Sequence, residues 1–240
     1  MPVKFNTSNV IALYYNDGGK TSFPASLKKT LNFLQNDDNI ANKKELSYFL
    51  ATAKAESDYS LTRWEADYLC GDKGVPYQYQ PCPRAVDYYR SSSGKKNYFQ
   101  LGVDAKGMAY FGRGLIQLTG LGNYRKYGRL AGLGDALVQD GDKALEPENS
   151  YKIASAYMNA RTFKYVNKDD LTRARKSVNG GTKGVDRVNS SYNRWMWVFS
   201  QPQAKFEVLF WTKKKRIAFA IVGVGLLATG GYFVYKGMKG

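Results

Sequence analysis

The chain contains no histidine. That absence excludes Ser-His-Asp and Cys-His nucleophilic catalysis and every His-ligated zinc site. Proton transfer therefore falls to carboxylates, Tyr, Lys or Cys. Two carboxylates invite attention by position, Glu56 and Glu65. Glu56 follows Phe49 by seven residues and Ala53 by three, so it continues an apolar helical stripe. A carboxyl carried on an apolar face favours its protonated form, the form a general acid needs. The segment Ser57-Asp58-Tyr59-Ser60 breaks the helical pattern, which places Glu56 at a helix end opening into a cleft. The alternative is a buried glutamate satisfied by an arginine such as Arg113. A continuous helix would hold Glu56 and Glu65 about 13 Å apart along its axis. A break at 57–60 lets the chain turn back, and a spacing of roughly 6.5–9.5 Å leaves room for a water between a carboxyl pair. Asp58 and Asp67 are the rival second carboxylates, each otherwise a solvated surface charge.

The segment Tyr110-Phe111-Gly112-Arg113-Gly114-Leu115-Ile116-Gln117-Leu118-Thr119-Gly120 places glycines where backbone must approach something closely. Arg113, between two of them, is suited to pairing with a buried carboxylate. Read as an extended piece, it turns Gln117 and Thr119 to the same side, where they could hold a sugar amide or a water. A phosphate-binding loop is discounted because no GxxxxGK[ST] pattern accompanies it.

Helices must position these groups. Pro24 suits a first helical turn, with Leu27, Leu31 and Leu34 following at helical spacing. Asn42 with Glu45 three residues later reads as a capping box opening the helix that carries Leu46, Phe49, Leu50, Ala53 and Glu56. Pro147 and Glu148 open another helix. Asp169 or Asp170 caps a third, which Asn179-Gly180-Gly181 stops, and a fourth runs from about Val185 through Trp195. The region 66–110 reads mostly as loop, with a short hairpin between Tyr98–Leu101 and Met108–Phe111. The expected fold is mainly α, α+β in the lysozyme manner. Residues 1–200 form the catalytic domain, 201–212 a linker, and 213–240 a basic flank with a transmembrane anchor.

The anchor rests on Ile217 to Tyr235, an uncharged apolar run spanning about 28 Å as a helix. Lys213, Lys214, Lys215 and Arg216 precede it, and Lys236 and Lys239 follow, with Trp211, Tyr232 and Tyr235 at the interfaces. The opening MPVKFNTSNV lacks a basic-then-apolar leader, so no secretory signal is expected there. Thirty-six Lys and Arg stand against 20 Asp and Glu, a formal charge of +16. That surplus favours a polyanionic partner: a cell-wall polymer, anionic lipid or nucleic acid. The 19 tyrosines suit a carbohydrate cleft or a single-stranded nucleic-acid platform. No nucleic-acid-binding motif is present, so that partner is not expected. Cys70 and Cys82 can close a loop or remain free thiols, and they cannot build a metal site alone. No cofactor or metal is expected.

FGRGLIQLTG followed by Asn123-Tyr124 resembles the signature of glycoside hydrolase family 19, the chitinases and related phage endolysins. KAESDYSLTRWE resembles that family's general-acid helix end. Ser177-Val178-Asn179-Gly180-Gly181 and Asp186-Arg187-Val188, with Tyr192 and Arg194 beyond, resemble its second cleft segment. The likeness covers about residues 40–197. It implies Glu56 as acid, Glu65 as the base that activates water, and Thr119 as the hydroxyl that helps hold that water. It also implies Gln117, Asn123, Tyr124 and Asn179 as sugar contacts and Arg113 and Arg187 as supports for the carboxylates, in an inverting reaction. The sequence departs from the pattern at Ala55, where the family usually has His, and at Asp58 and Tyr59, where it has glycines.

The expected substrate is peptidoglycan, whose attached groups are anionic like no part of chitin. Chitin oligomers are the alternative, and a catalytically degenerate structural membrane protein of a virion is a further one. The excess of basic residues before the span puts the domain on the cytoplasmic side. A lytic enzyme held in the internal membrane of a virion reconciles that topology with a wall substrate, and a cellular, outward-facing tail-anchored hydrolase is the alternative.

Overall fold

The computed structural model describes residues 3–16, 24–65, 83–90 and 98–204. Helix dominates them: α1 (Thr7–Asn16), α2 (Ala25–Leu34), α3 (Lys43–Ser57), α4 (Pro83–Arg90), α5 (Leu121–Leu130), α6 (Ala136–Gln139), α7 (Pro147–Tyr157), α8 (Phe163–Val166), α9 (Leu171–Asn179) and α10 (Val185–Val198). Extended pairing among the described residues is confined to isolated antiparallel bridges, Trp64 with Arg113, Val103 with Ala109 and Arg113 with Leu118. The expected hairpin is accordingly smaller than its sequence suggested. Tyr98–Leu101 is a 3₁₀ turn, and the tie closes further on, where the Asp104 N–H donates to Met108 O at 2.9 Å.

The helix ends follow their local chemistry. Asn42 caps α3 by accepting the Glu45 N–H at 3.0 Å. Glu45 reaches back to the Ala41 N–H at 2.6 Å, one residue earlier than the bond a capping box makes. Pro147 occupies the first turn of α7, whereas Pro24 stands just before α2 as its N-cap. Asp170, of the two aspartates considered, caps α9 by accepting the Arg173 N–H at 2.9 Å. Gly180, at φ 76°, ends it. The stop of α3 is unusual because Asp58 and Tyr59 both adopt left-handed backbone, φ 51° and 64°. Their N–H groups close on Lys54 O and Ala53 O, each at 3.1 Å, and turn the chain sharply after Glu56.

α3 and α10 lie against each other at the centre of the core. Trp195 is fully buried there, stacked on Tyr14 at 3.9 Å and donating its indole N–H to the Tyr59 hydroxyl at 3.2 Å. Phe5 packs on Phe199 at 5.3 Å, and the Asn6 N–H donates to Ala204 O at 3.0 Å, so the two ends of the domain are tied together. The folded unit runs through Lys205 and includes the 3₁₀ turn Pro202–Ala204, which the sequence had assigned to the linker. Ala204 is buried, and that burial recruits the turn to the domain. A second unit, Phe206–Gly240, lies outside the described residues, and with it the expected span 217–235. Asp67, Cys70, Cys82 and residues 91–97 also lie outside them. No helix among the described residues is long and apolar enough to cross a membrane.

Candidate active site

Glu56 and Glu65 line one cleft of about 410 Å³, shared with Tyr98, Gln117, Thr119, Asn123, Tyr157 and Asn179. Six pieces of chain meet there: the end of α3, the stretch that returns at Glu65, the 3₁₀ turn at Tyr98, the 112–120 loop leading into α5, the end of α7 and the end of α9. The left-handed pair Asp58 and Tyr59 is what lets Glu65 return to the cleft that Glu56 faces.

Glu56 differs from its expectation in its partner. The Arg175 guanidinium on α9 donates to its Oε1, with the carboxyl 17 % and the guanidinium 6 % exposed. An arginine does satisfy this glutamate, and it is Arg175 rather than Arg113. Oε2 accepts no bond among the described residues and is left for a ligand. Arg175 is itself fixed by donating Nε to Lys183 O at 3.1 Å.

Glu65 is held by backbone. Its N–H donates to Gly112 O at 2.6 Å, and its Oε2 accepts the Gly112 N–H at 3.0 Å. The Tyr98 hydroxyl stands 3.5 Å from Oε1. Burial, and then the Glu65 charge, push that phenol up to about 12, so it remains a donor at every ordinary pH. A Cβ on Gly112 would come within 3.1 Å of Gln117 Oε1 and 3.3 Å of Glu65, which explains a glycine at this position.

Gln117 and Thr119 both face the cleft, although the expected extended geometry is wrong. Residues 114–117 form a tight turn closed by the Arg113–Leu118 pairing, with Gln117 itself at φ 54°. The Gln117 amide donates to Arg63 O and Gly114 O, both at 3.0 Å, which turns its carbonyl oxygen to Gly112. The Thr119 hydroxyl donates to Gln117 O at 2.9 Å, so its oxygen remains an acceptor for a water or a sugar hydroxyl. Asn123 donates to Thr119 O at 2.7 Å. Asn179 ties off the end of α9 by donating to Lys183 O at 3.1 Å and accepting the Gly181 N–H at 3.0 Å.

Three residues belong elsewhere. Tyr124 is fully buried beneath the loop, its hydroxyl donating to Phe111 O at 2.7 Å, so it is not a sugar contact. Arg113 supports neither Glu56 nor Glu65. It is buried with its Nε on Asp142 at 2.8 Å and its Nη1 on Ala109 O and the Tyr124 hydroxyl, where it fixes the floor of the loop. Arg187 is exposed and reaches Ala55 O at 3.4 Å, again without touching either glutamate. The sequence reading missed Arg175, Tyr98 and Tyr157. A signal existed for Arg175 alone, one helical turn before Asn179 on the same face of α9.

No family model matches the sequence, and no curated protein matches it. In its fold the chain is similar to chitinase C from Streptomyces griseus, with a TM-score of 0.51 at 16 % identity over 84 % of this chain and 95 % of that one. A mutant of the same chitinase gives the same figures. The chain therefore has a mostly helical, chitinase-like fold.

Proposed function

We infer that the protein is an inverting glycoside hydrolase of the family 19 type, acting on β-1,4 bonds of peptidoglycan. The observation that carries this reading is the convergence of Glu56 and Glu65 on one cleft with amide and hydroxyl groups suited to an N-acetylated sugar. Glu56 donates its proton to the glycosidic oxygen as the C1–O bond breaks, and Arg175 stabilises the carboxylate so formed. Glu65 takes a proton from a water as that water's oxygen bonds to C1 on the opposite face of the ring. The Thr119 oxygen accepts the water's other hydrogen. Gln117, Asn123 and Asn179 offer amides to the acetamido group.

The charge of +16 favours peptidoglycan, which carries anionic groups, over neutral chitin. Chitin hydrolysis is the second reading, favoured by the fold likeness to a chitinase. The full chain in neutral detergent, given purified sacculi and N-acetylglucosamine oligomers, is expected to release soluble glycan from sacculi. The anomer formed first is expected to be inverted by NMR. Products from the oligomers alone would overturn the peptidoglycan reading.

Attachment to a bilayer through 217–235, in the internal membrane of a virion, belongs to the same reading and is supported by the apolar run and its basic flanks. Flotation of the full chain with liposomes that resists alkaline carbonate would support the anchor. Complete release by carbonate would sink it.

A further inference from the structure

A second concavity, of about 320 Å³, is lined by Lys54, Arg63, Arg187 and Ser191, with Asp58 the one acid among its described residues. Lys54 and Arg187 together outweigh that carboxylate. Its position follows from the fold. Lys54 and Asp58 are one turn apart at the end of α3, and Arg187 and Ser191 are one turn apart on α10, the helix packed against it. Arg63 arrives from the return loop that carries Glu65.

The cations are placed rather than merely present. The Lys54 ammonium lies 5.0 Å from the Tyr14 ring centre and 5.9 Å from that of Tyr59, and it donates to the Tyr14 hydroxyl at 3.2 Å. Arg187 is tethered to Ala55 O. Among the described residues neither Lys54 nor Arg187 pairs with a carboxylate. Converging positive charge of this kind is not needed to bind a neutral sugar.

The pocket and the cleft are lined by neighbouring residues of the same stretches of chain. Ala55, which lines the pocket, precedes Glu56, which lines the cleft. Arg63 contributes its side chain to the pocket while its carbonyl accepts the Gln117 amide at 3.0 Å on the cleft side.

We propose that the pocket formed by Lys54, Arg63, Arg187 and Ser191 binds a carboxylate of the peptide stem carried by the glycan, and so sets the preference for peptidoglycan. This rests on the glycan-cleft reading above and adds to it the residues that read the anionic branch. The Ser191 hydroxyl donates to the bound carboxylate alongside the cations.

The test is calorimetric binding by the full chain in neutral detergent, which does not depend on turnover. The ligands are the disaccharide of N-acetylglucosamine and N-acetylmuramic acid with its stem peptide, the same compound with the stem carboxylates amidated, and the disaccharide alone. The free-carboxylate stem is expected to bind about tenfold tighter than the amidated one. Lys54→Gln and Arg187→Gln should each remove most of that ratio and leave binding of the bare disaccharide unchanged. Equal affinity for free and amidated stems would overturn the proposal, as would a ratio unaltered in both variants. Tighter binding of a glycerol-phosphate oligomer than of the stem would also overturn it, assigning the pocket to phosphate. A chain that binds the stem as expected but cuts no sacculi leaves the pocket standing and removes the hydrolase reading instead.

Discussion

Arg175 holds the carboxyl of Glu56 across 119 residues of sequence, and the pair stands at the edge of the cleft where Glu65 also lies. One Glu56 oxygen is committed to the guanidinium and the other is left toward the ligand. The arginine therefore sets the direction in which Glu56 can deliver a proton.

Removing that partner should alter turnover more than binding. Arg175→Ala is expected to lower kcat on sacculi about 100-fold with KM within about twofold, because the sugar contacts remain. Arg175→Lys keeps the charge but not the fork that spans Glu56 and Lys183 O, and should fall about tenfold. The lost charged hydrogen bond should cost about 2 kcal/mol of stability, read as a lower Tm. An Arg175→Ala enzyme with wild-type kcat would show that Glu56 needs no such orientation.

The two glutamates themselves make a sharper test. Glu56→Gln retains the shape but cannot give a proton, and Glu65→Gln cannot take one. Each should reduce turnover by about 10²- to 10⁴-fold, while circular dichroism and binding of the oligomer stay near wild type. Full activity in either variant would move that catalytic role to another residue.

What the sequence revealed divides along the reach of the interactions. The cap at Asn42, the proline at the start of α7 and the glycine stop of α9 are local and were read from residues at most three apart, while the cap of α9 was narrowed only to Asp169 or Asp170. The helix-breaking stretch after Glu56 permitted Glu65 to return to the same cleft, but it left Asp58 and Asp67 as rivals, and only the family resemblance singled out Glu65. Partner choice was not legible. Arg113 goes to Asp142 because the bridged loop turns it into the core, and Arg175 reaches Glu56 because α9 packs beside α3. Tyr124 follows Asn123 in the motif yet points inward, since adjacent residues on a helix differ in direction by about 100°. The tight turn at Gln117 was misread as extended because nothing in its neighbours demands a left-handed residue there.

Two glycines of the same loop should separate function from stability. Gly112→Ala introduces a methyl 3.1 Å from Gln117 Oε1 and 3.3 Å from the Glu65 carboxylate, which are mobile side-chain ends. The expected result is a roughly tenfold lower kcat with Tm nearly unchanged, since small misplacements of a catalytic group are costly. Gly114→Ala meets the Ser150 hydroxyl at 2.7 Å and Ala144 O at 2.8 Å, at φ +74°. Fixed backbone and an unfavourable φ should together destabilise by about 2–4 kcal/mol, measured by urea unfolding. A Gly114→Ala protein as stable as wild type would contradict the packing of this loop on α7.

The buried tyrosines predict an alkaline limit to stability. Burial pushes the Tyr124 phenol from 10.0 to about 12, with Arg113 opposing. Burial likewise raises Tyr157 and Tyr98 from 10.0 to about 12. In the unfolded chain these phenols ionise near 10, whereas the folded chain holds their protons until about 12. Above the first value the unfolded state binds fewer protons, so stability falls as pH rises. Their contribution is complete below pH 10 and is lost progressively toward 12. Unfolding followed by near-ultraviolet circular dichroism should therefore coincide with a rise in tyrosinate absorbance for this group. Tyr124→Phe removes the titrating phenol but also the hydroxyl that Phe111 O and Arg113 use, so it should lower stability near neutrality while flattening its alkaline decline. A decline equally steep in that variant would assign the alkaline limit to other groups.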